Sequence, residues 1–327
     1  MSIKTNEFQK ATGLSGADEF LMNVSGGTAR VPAEDAAEYF GDEHFDRALW
    51  LYDGVDLTVK FADEIAAVGG DPWAWIKSRL TAHNVKGLHP KDYIMYQTTD
   101  GKTIKSQIAG INQYLHFNDA EITGWHIDWI SRDLWPELHV WNKANYNNGI
   151  STEKHPYMCS DLRAWLNSLK TTVPNGTTVN PDTVEVDYST TGVYDKLPDT
   201  LKAVIVNKRA LMSTRYSADG LLTDDNGWDW CDLGNLWVPS EMEVYGCCAW
   251  GTKGFSQAQF TQYPIFRDSK MRIKGLGNGG SRYNWWLLTP YSGDTVGAAS
   301  VYLGGESYLY ATPSSWVGAP VCFRIAE

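Results

Sequence analysis

The spacing of apolar and polar positions divides the chain into short elements. Near its start, Glu19-Phe-Leu-Met-Asn-Val24 reads as a strand, Ser25-Gly26-Gly27 as a turn and Thr28 to Val31 as the returning strand. Pro32 suits a first helical turn, and Glu34 and Asp35 stand near the start of Ala33 to Phe40, so a short helix ending at Gly41 is expected there. Phe61, Ile65 and Val68 recur at helical spacing until Gly69-Gly70 breaks the run. Asp71-Pro72 restarts it, an N-cap followed by Pro at the first helical position. Trp73, Ile76 and Leu80 then fall on one stripe, which reads as a packing face rather than a cofactor box.

From Leu88 onward the pattern turns strand-like. Asp92 to Tyr96 is a predicted strand, Thr99-Asp100-Gly101-Lys102 a hairpin turn and Thr103 to Ile111 the return; His126 to Ile130 is another apolar stretch. Asn142 to Gly149 reads as a loop. Asp161 to Asn167 reads as a short amphipathic helix with Leu162, Trp165, Leu166 and Leu169 on one face. The polar run from Thr171 to Asp195, with Asn175-Gly176 as a turn, is expected to be an exposed excursion. Leu201 to Val206 fits a strand or a helix packed on the sheet. Ser240 and Glu243 have capping-box spacing at the start of a helix. Gly275 to Gly280 reads as a mobile loop. Trp285 to Leu288, and Val321, Phe323 and Ile325 at spacing two, predict two buried strands. The fold class is α+β, in three parts: residues 1–45, a helical connector over 46–87, and a large domain over 88–327.

Hydrophobic residues at 43% and charged residues at 20% are ordinary for a globular chain, but fifteen Trp and seventeen Tyr are not. Such a composition suits surfaces that grip ligands and equally suits small-sheet folds with cores built from rings. The net charge of −11 argues against nucleic acid and anionic membrane as partners. No apolar run approaches the roughly 20 residues a membrane span needs, and the first residues carry no secretory h-region. Five cysteines without a CxxC fit reduced thiols and synthesis in a cytoplasm. The seven histidines show no HExxH and no zinc-type pairing. Asp224-Asp225-Asn226-Gly227-Trp228-Asp229 has oxygen donors but not EF-hand spacing, and reads as a solvated acidic turn. GxSxG is absent. No metal, cofactor or catalytic residue is therefore expected.

The segment Ser281 to Glu327 spreads Tyr283, Tyr291, Tyr302, Tyr308, Tyr310 and Trp316 among Ser, Gly, Thr and Ala. Rigid aromatic anchors among small polar residues are the composition of an evolved binding surface. At strand period Tyr302, Tyr308 and Tyr310 would share one face, opposite Val301, Leu303 and Leu309.

Six stretches, NKANYNNG (142–149), DLRAWLN (161–167), LWVPSEMEVYG (236–246), QYPIF (262–266), WWLLT (285–289) and VCFRI (321–325), together resemble the C-type-lectin-fold variable proteins of diversity-generating retroelements, of the phage receptor-binding type. The resemblance covers residues 88–327. It implies a C-type-lectin-like fold, which is also the fold of formylglycine-generating enzymes, with a variable region over 281–327 displayed from a rigid small sheet. In that family an error-prone copy alters adenines, so AAY codons become Tyr, Ser, Asp and similar residues. The ligand-binding positions so implied are Tyr283, Asn284, Tyr291, Ser292, Asp294, Ser300, Tyr302, Ser307, Tyr308 and Tyr310. Glu306 and Trp316 are not reachable from AAY in this way and are expected to be fixed. The calcium-binding triplets EPN, QPD and WND of sugar-binding lectins are absent. The first 45 residues resemble the beginnings of phage tail and tail-fibre proteins, which implies attachment to other tail proteins of a virion, a homotrimer, and a host-cell surface protein or glycan as ligand. Two alternatives stand beside this reading: a bacterial surface-display protein with the same variable domain, and an enzyme of the formylglycine-generating class using Cys247, Cys248 or Cys322. Cys322 lies in an alternating strand and reads as a small buried hydrophobe, and Arg324 as a structural hydrogen-bond donor.

Overall fold

The computed structural model describes residues 19–24, 27–32, 49, 51–115, 124–175, 182–222, 224–252 and 261–327, with main chain only at 19–24, 27–32 and 309–311. Strands β1 (Glu19–Val24) and β2 (Gly27–Pro32) form the expected antiparallel hairpin, with Phe20 opposite Val31. The helix expected at 33–40 lies outside the described residues.

Helices α1 (Leu57–Lys60), α2 (Ala62–Ala67) and α3 (Pro72–Thr81) follow. Asp71 caps α3 by accepting from the Trp73 N–H at 3.0 Å, with Pro72 at the first position. The predicted stripe is buried, and Trp75 and Arg79 are buried with it. The segment expected as a connector shares the main core from Leu57 onward. Trp73 packs edge-on against Trp129 at 5.3 Å and Phe323 at 5.6 Å between ring centroids, both rings belonging to the central sheet.

That sheet contains β3 (Tyr93–Gln97), β4 (Thr103–Ile111), β5 (His126–Ser131), β8 (Ile205–Val206) and β14 (Cys322–Ala326), in the order β3-β4-β5-β14-β8, every neighbouring pair antiparallel. All six residues of β5 are buried, so the strand has no polar face toward water. Its one acid, Asp128, lies directly opposite Arg324 of β14 and receives two guanidinium hydrogen bonds, at 2.7 and 2.9 Å. Burial alone would raise the Asp128 carboxyl, but Arg324 and then Lys208 hold it well below the usual carboxylate range. The Tyr263 hydroxyl donates to the same carboxylate at 2.8 Å, Lys208 donates to Tyr263 at 3.0 Å and also to Glu243, and the Tyr114 hydroxyl donates to Glu243 at 2.7 Å. Two cations and two anions are thus neutralised and hydrogen-bonded in one buried network, the condition under which such charges can be tolerated. Arg324 is the structural donor that its strand position implies.

The remaining elements are α4 (Asp161–Leu166), β6 (Lys170–Asn175), β7 (Asp182–Asp187), α5 (Asp199–Lys202), β9 (Lys208–Thr214), β10 (Gly227–Gly234), α6 (Glu241–Tyr245), β11 (Trp285–Pro290), β12 (Ala298–Val301) and β13 (Ser307–Ala311). The chain is therefore mixed α and β, mostly strands with a few short helices. Three expectations need correction. Among its described residues the polar run 171–195 is only partly an exposed excursion: β6 and β7 pair as a hairpin with several exposed positions, but Val173 and Val186 pack on Ala164 of α4, and Val193 enters the main core. The turn at 224–229 ends early, because Gly227, Trp228 and Asp229 already pair with β9. The glycine-rich loop 275–280 is pinned, because Gly275 N–H donates to Asp133, Gly277 N–H to the Leu134 carbonyl, and Leu276 N–H to the Ser281 carbonyl. Among the described residues no helix is long and apolar enough to cross a membrane.

Candidate ligand-binding face

Strands β11, β12 and β13 form a three-stranded antiparallel sheet. β12 is its central strand, and β11 is buried at every position but Thr289. Trp285 and Trp286 are both fully buried, and their indole N–H groups donate to the carbonyls of Arg272 and His139, each at 2.8 Å. The sheet is thereby locked to the body of the protein by two buried indoles.

β11 and β12 are joined by residues 291–297, and β12 and β13 by residues 302–306. These connections leave β12 at opposite ends, separated by its four residues, roughly 13 Å at about 3.3 Å per residue. The candidate positions consequently fall into two groups rather than one face. Tyr291, Ser292 and Asp294 lie at one end. Tyr283, Asn284, Tyr302 and Tyr308 lie at the other.

At the first end the loop is held by its main chain. The Asn147 side-chain amide donates to the carbonyls of Tyr291 and Asp294, both at 3.1 Å, and to that of Gly297. The Arg215 guanidinium donates to the Asp294 carbonyl at 2.6 Å, and Asn147 N–H donates to the Thr295 carbonyl at 2.9 Å. Every residue type supplies a carbonyl, so these anchors survive a change of side chain at 291 or 294. The Tyr291 ring stands edge-on to Trp250 at 6.2 Å, and the Ser292 hydroxyl donates to the Trp250 carbonyl at 3.0 Å. Buried Glu241 accepts from the N–H groups of Trp250 and Gly251, fixing the Trp250 segment; burial pushes its carboxyl up, against those hydrogen bonds.

At the second end, Tyr302 sits in the tight turn that follows β12, not within a strand. Tyr302 N–H donates to the Glu306 carbonyl, and Gly305 adopts φ +93°, which only glycine takes without strain. The turn brings the Tyr302 ring to 5.0 Å from that of Tyr308. Leu303, expected on the face opposite the tyrosines, is instead 40% exposed, because the chain turns before it. Tyr283 is 37% exposed and Trp316 63% exposed. A parallel bridge between Trp285 and Gly318 puts residues 283 and 316 on the same side of that bridge, so the exposed rings gather at this end of the sheet. Trp316 also meets His139 edge-on at 6.1 Å.

Several candidate residues do structural work. Ser300 is fully buried with its hydroxyl donating to the Tyr308 carbonyl, so it is not on an open face. The Asn284 side chain accepts from Leu303 N–H at 2.9 Å and braces the 302–306 turn. The Ser307 hydroxyl donates to Glu241 at 3.3 Å. Tyr310 lies in β13, its side chain outside the described set. Asn147, Arg215, Glu241 and Trp250 were not foreseen as supports. The Asn-rich run 142–149 was the one visible signal, since buried amides among loop residues serve main-chain groups.

Of the thiols, Cys247 is exposed, while Cys248 and Cys322 are buried, and burial pushes Cys322 well above the ordinary thiol range. Among the described residues no group of three His, Cys, Asp or Glu side chains could hold a metal ion.

Neither a comparison with curated proteins nor one with solved structures returns a match. Over residues 130–326, well more than half its length, the sequence matches the domain of unknown function DUF6273, and the chain belongs to that family.

Proposed function

We propose that this chain is a non-covalent receptor-binding protein of C-type-lectin-like fold, acting at a phage tail and gripping a host-surface protein or glycan through the rings at one end of the β11-β12-β13 sheet. The observation that carries the reading is the division of labour in residues 281–327. Trp285, Trp286 and the carbonyls of the 291–297 loop are tied to the body, while Tyr283, Leu303 and Trp316 are left in solvent at the end of the sheet where Tyr302 and Tyr308 pair. Aromatic side chains on a rigid support supply contact area at little entropic cost. Attachment through residues 1–45, a homotrimer and diversification of 281–327 by a retroelement belong to the same reading.

The test is binding of the purified chain to a panel of bacterial cell surfaces. Tyr302→Ala with Tyr308→Ala is expected to weaken binding at least tenfold, as truncation of aromatic hot spots does, and to leave the thermal midpoint close to that of the parent. A double variant that binds every cell type as well as the parent would refute the role of this patch. Diversification has its own check: a near-copy of the DNA encoding 281–327, differing at adenines and lying beside a reverse-transcriptase gene.

The enzyme alternative gains little support from Cys322, which is buried in β14 with its thiol pushed well above the ordinary range.

A further inference from the structure

A half-open cleft with a cavity volume of about 40 Å³ lies between the β9-β10 ribbon, the start of α6 and the last residues of β11. Leu211, Met212, Trp228, Met242 and Leu288 form its apolar walls. Its polar end is Asp225, with Ser213 and Thr252 beside it. Both carboxylate oxygens of Asp225 are buried, and neither finds a hydrogen bond of normal geometry among the described residues. Such a carboxylate costs stability, because a buried polar group without a partner forfeits its hydration. Burial pushes its carboxyl up, only partly opposed by the nearby Thr252 and Ser213 hydroxyls and by the charge of Arg215, while Asp224 adds to the rise. Arg215 contributes its charge but no hydrogen bond: its Nε donates to Asn148 and its Nη2 to the Asp294 carbonyl, and its Nη1 is buried with no hydrogen-bond partner among the described residues.

We propose that this cleft binds a small primary ammonium ion with a short alkyl tail, the ammonium on Asp225 and the tail against Leu211, Met212 and Leu288. An ammonium supplies what the carboxylate lacks, several N–H donors converging on it, and adds its charge to that of Arg215. Hydroxyl oxygens at Ser213 and Thr252 stand at the same end. The volume exceeds the 10–15 Å³ or so that one water needs, which leaves space for an ammonium and one or two carbons but not for a large ring. The chain's net charge of −11 favours cations over anions at any open cleft. The site lies apart from the Tyr302–Tyr308 patch and does not depend on the receptor-binding reading.

Calorimetric titration of the full chain at pH 7.5 with methylammonium, ethylammonium and tetramethylammonium tests the proposal. Saturable binding of methylammonium or ethylammonium is expected, at least tenfold weaker for tetramethylammonium, which has no N–H to donate. Asp225→Asn keeps the side-chain shape and removes the charge; it is expected to weaken ethylammonium at least tenfold while raising the thermal midpoint. Asp219→Asn, at an exposed site, is expected to change neither. Affinity is expected to fall as pH is lowered through the raised Asp225 pKa. The proposal is overturned if the parent shows no saturable binding, if tetramethylammonium binds as well as ethylammonium, or if Asp225→Asn binds undiminished. Should the variant melt early, the comparison of the two ammonium ions on the parent protein decides by itself.

Discussion

At the scale of single residues, the buried ionisable groups set how the protein responds to pH. His126 is held neutral: its Nε2 accepts from Tyr114 N–H at 3.2 Å, and its Nδ1 faces the Gly124 carbonyl at 3.0 Å. Burial, and then the charge of Arg324, lower it from 6.5 to about 4. A lowered folded-state pKa means that the unfolded chain takes up a proton the fold refuses. Stability is therefore complete above pH 6.5 and is lost as pH falls from 6.5 toward 4, by about 3 kcal/mol at most for this group. Urea unfolding at pH 7 and pH 4.5 checks this, with His126→Gln, which keeps an acceptor for Tyr114, expected to flatten the difference. The sequence made Arg324 legible as a structural donor, because it interrupts an apolar strand. Its partner Asp128 was not legible, since the two are 196 positions apart and only strand pairing brings them opposite.

At the scale of elements, local chemistry was readable and cross-strand chemistry was not. The Asp71-Pro72 start of α3 and the Ser240–Glu243 box of α6 are contained in a few consecutive residues and form as read. Ser240 Oγ accepts from Glu243 N–H at 3.2 Å and Glu243 returns the bond to Ser240 N–H at 2.8 Å. Ser240→Ala should cost about 1–2 kcal/mol, measured by chemical denaturation, because a buried cap is lost. The hairpin β6-β7 and the ribbon β9-β10 escaped because their Asp, Thr and Lys residues suggest turns, while their strand character comes from pairing with a distant partner. The 291–297 loop yields a sharper test. Asn147→Ala removes the side-chain amide whose two N–H donors are shared among three of its carbonyls and should destabilise the protein by about 1–3 kcal/mol. Tyr291→Ser, which leaves those carbonyls in place, should fall within about 1 kcal/mol of the parent in the same assay.

At the scale of the whole molecule, the candidate face is smaller than the segment that encodes it. Strand alternation alone places Tyr302, Tyr308 and Tyr310 together, but the chain turns at Tyr302, and the short β12 separates the positions at 291–294 from the tyrosine pair. No spacing rule foretells where a strand of four residues stops. The seam between β5 and β14 has a kinetic consequence. Contacts between residues nearly two hundred positions apart, such as Val321 with Ser131, form only after a very long loop has closed. Chains dominated by such non-local pairing fold slowly, because the entropy of closure is spent before any contact returns it. Until that seam closes, Trp129 and Phe323 lack each other's cover, and the half-formed sheet exposes the edge and the rings through which unfinished chains associate.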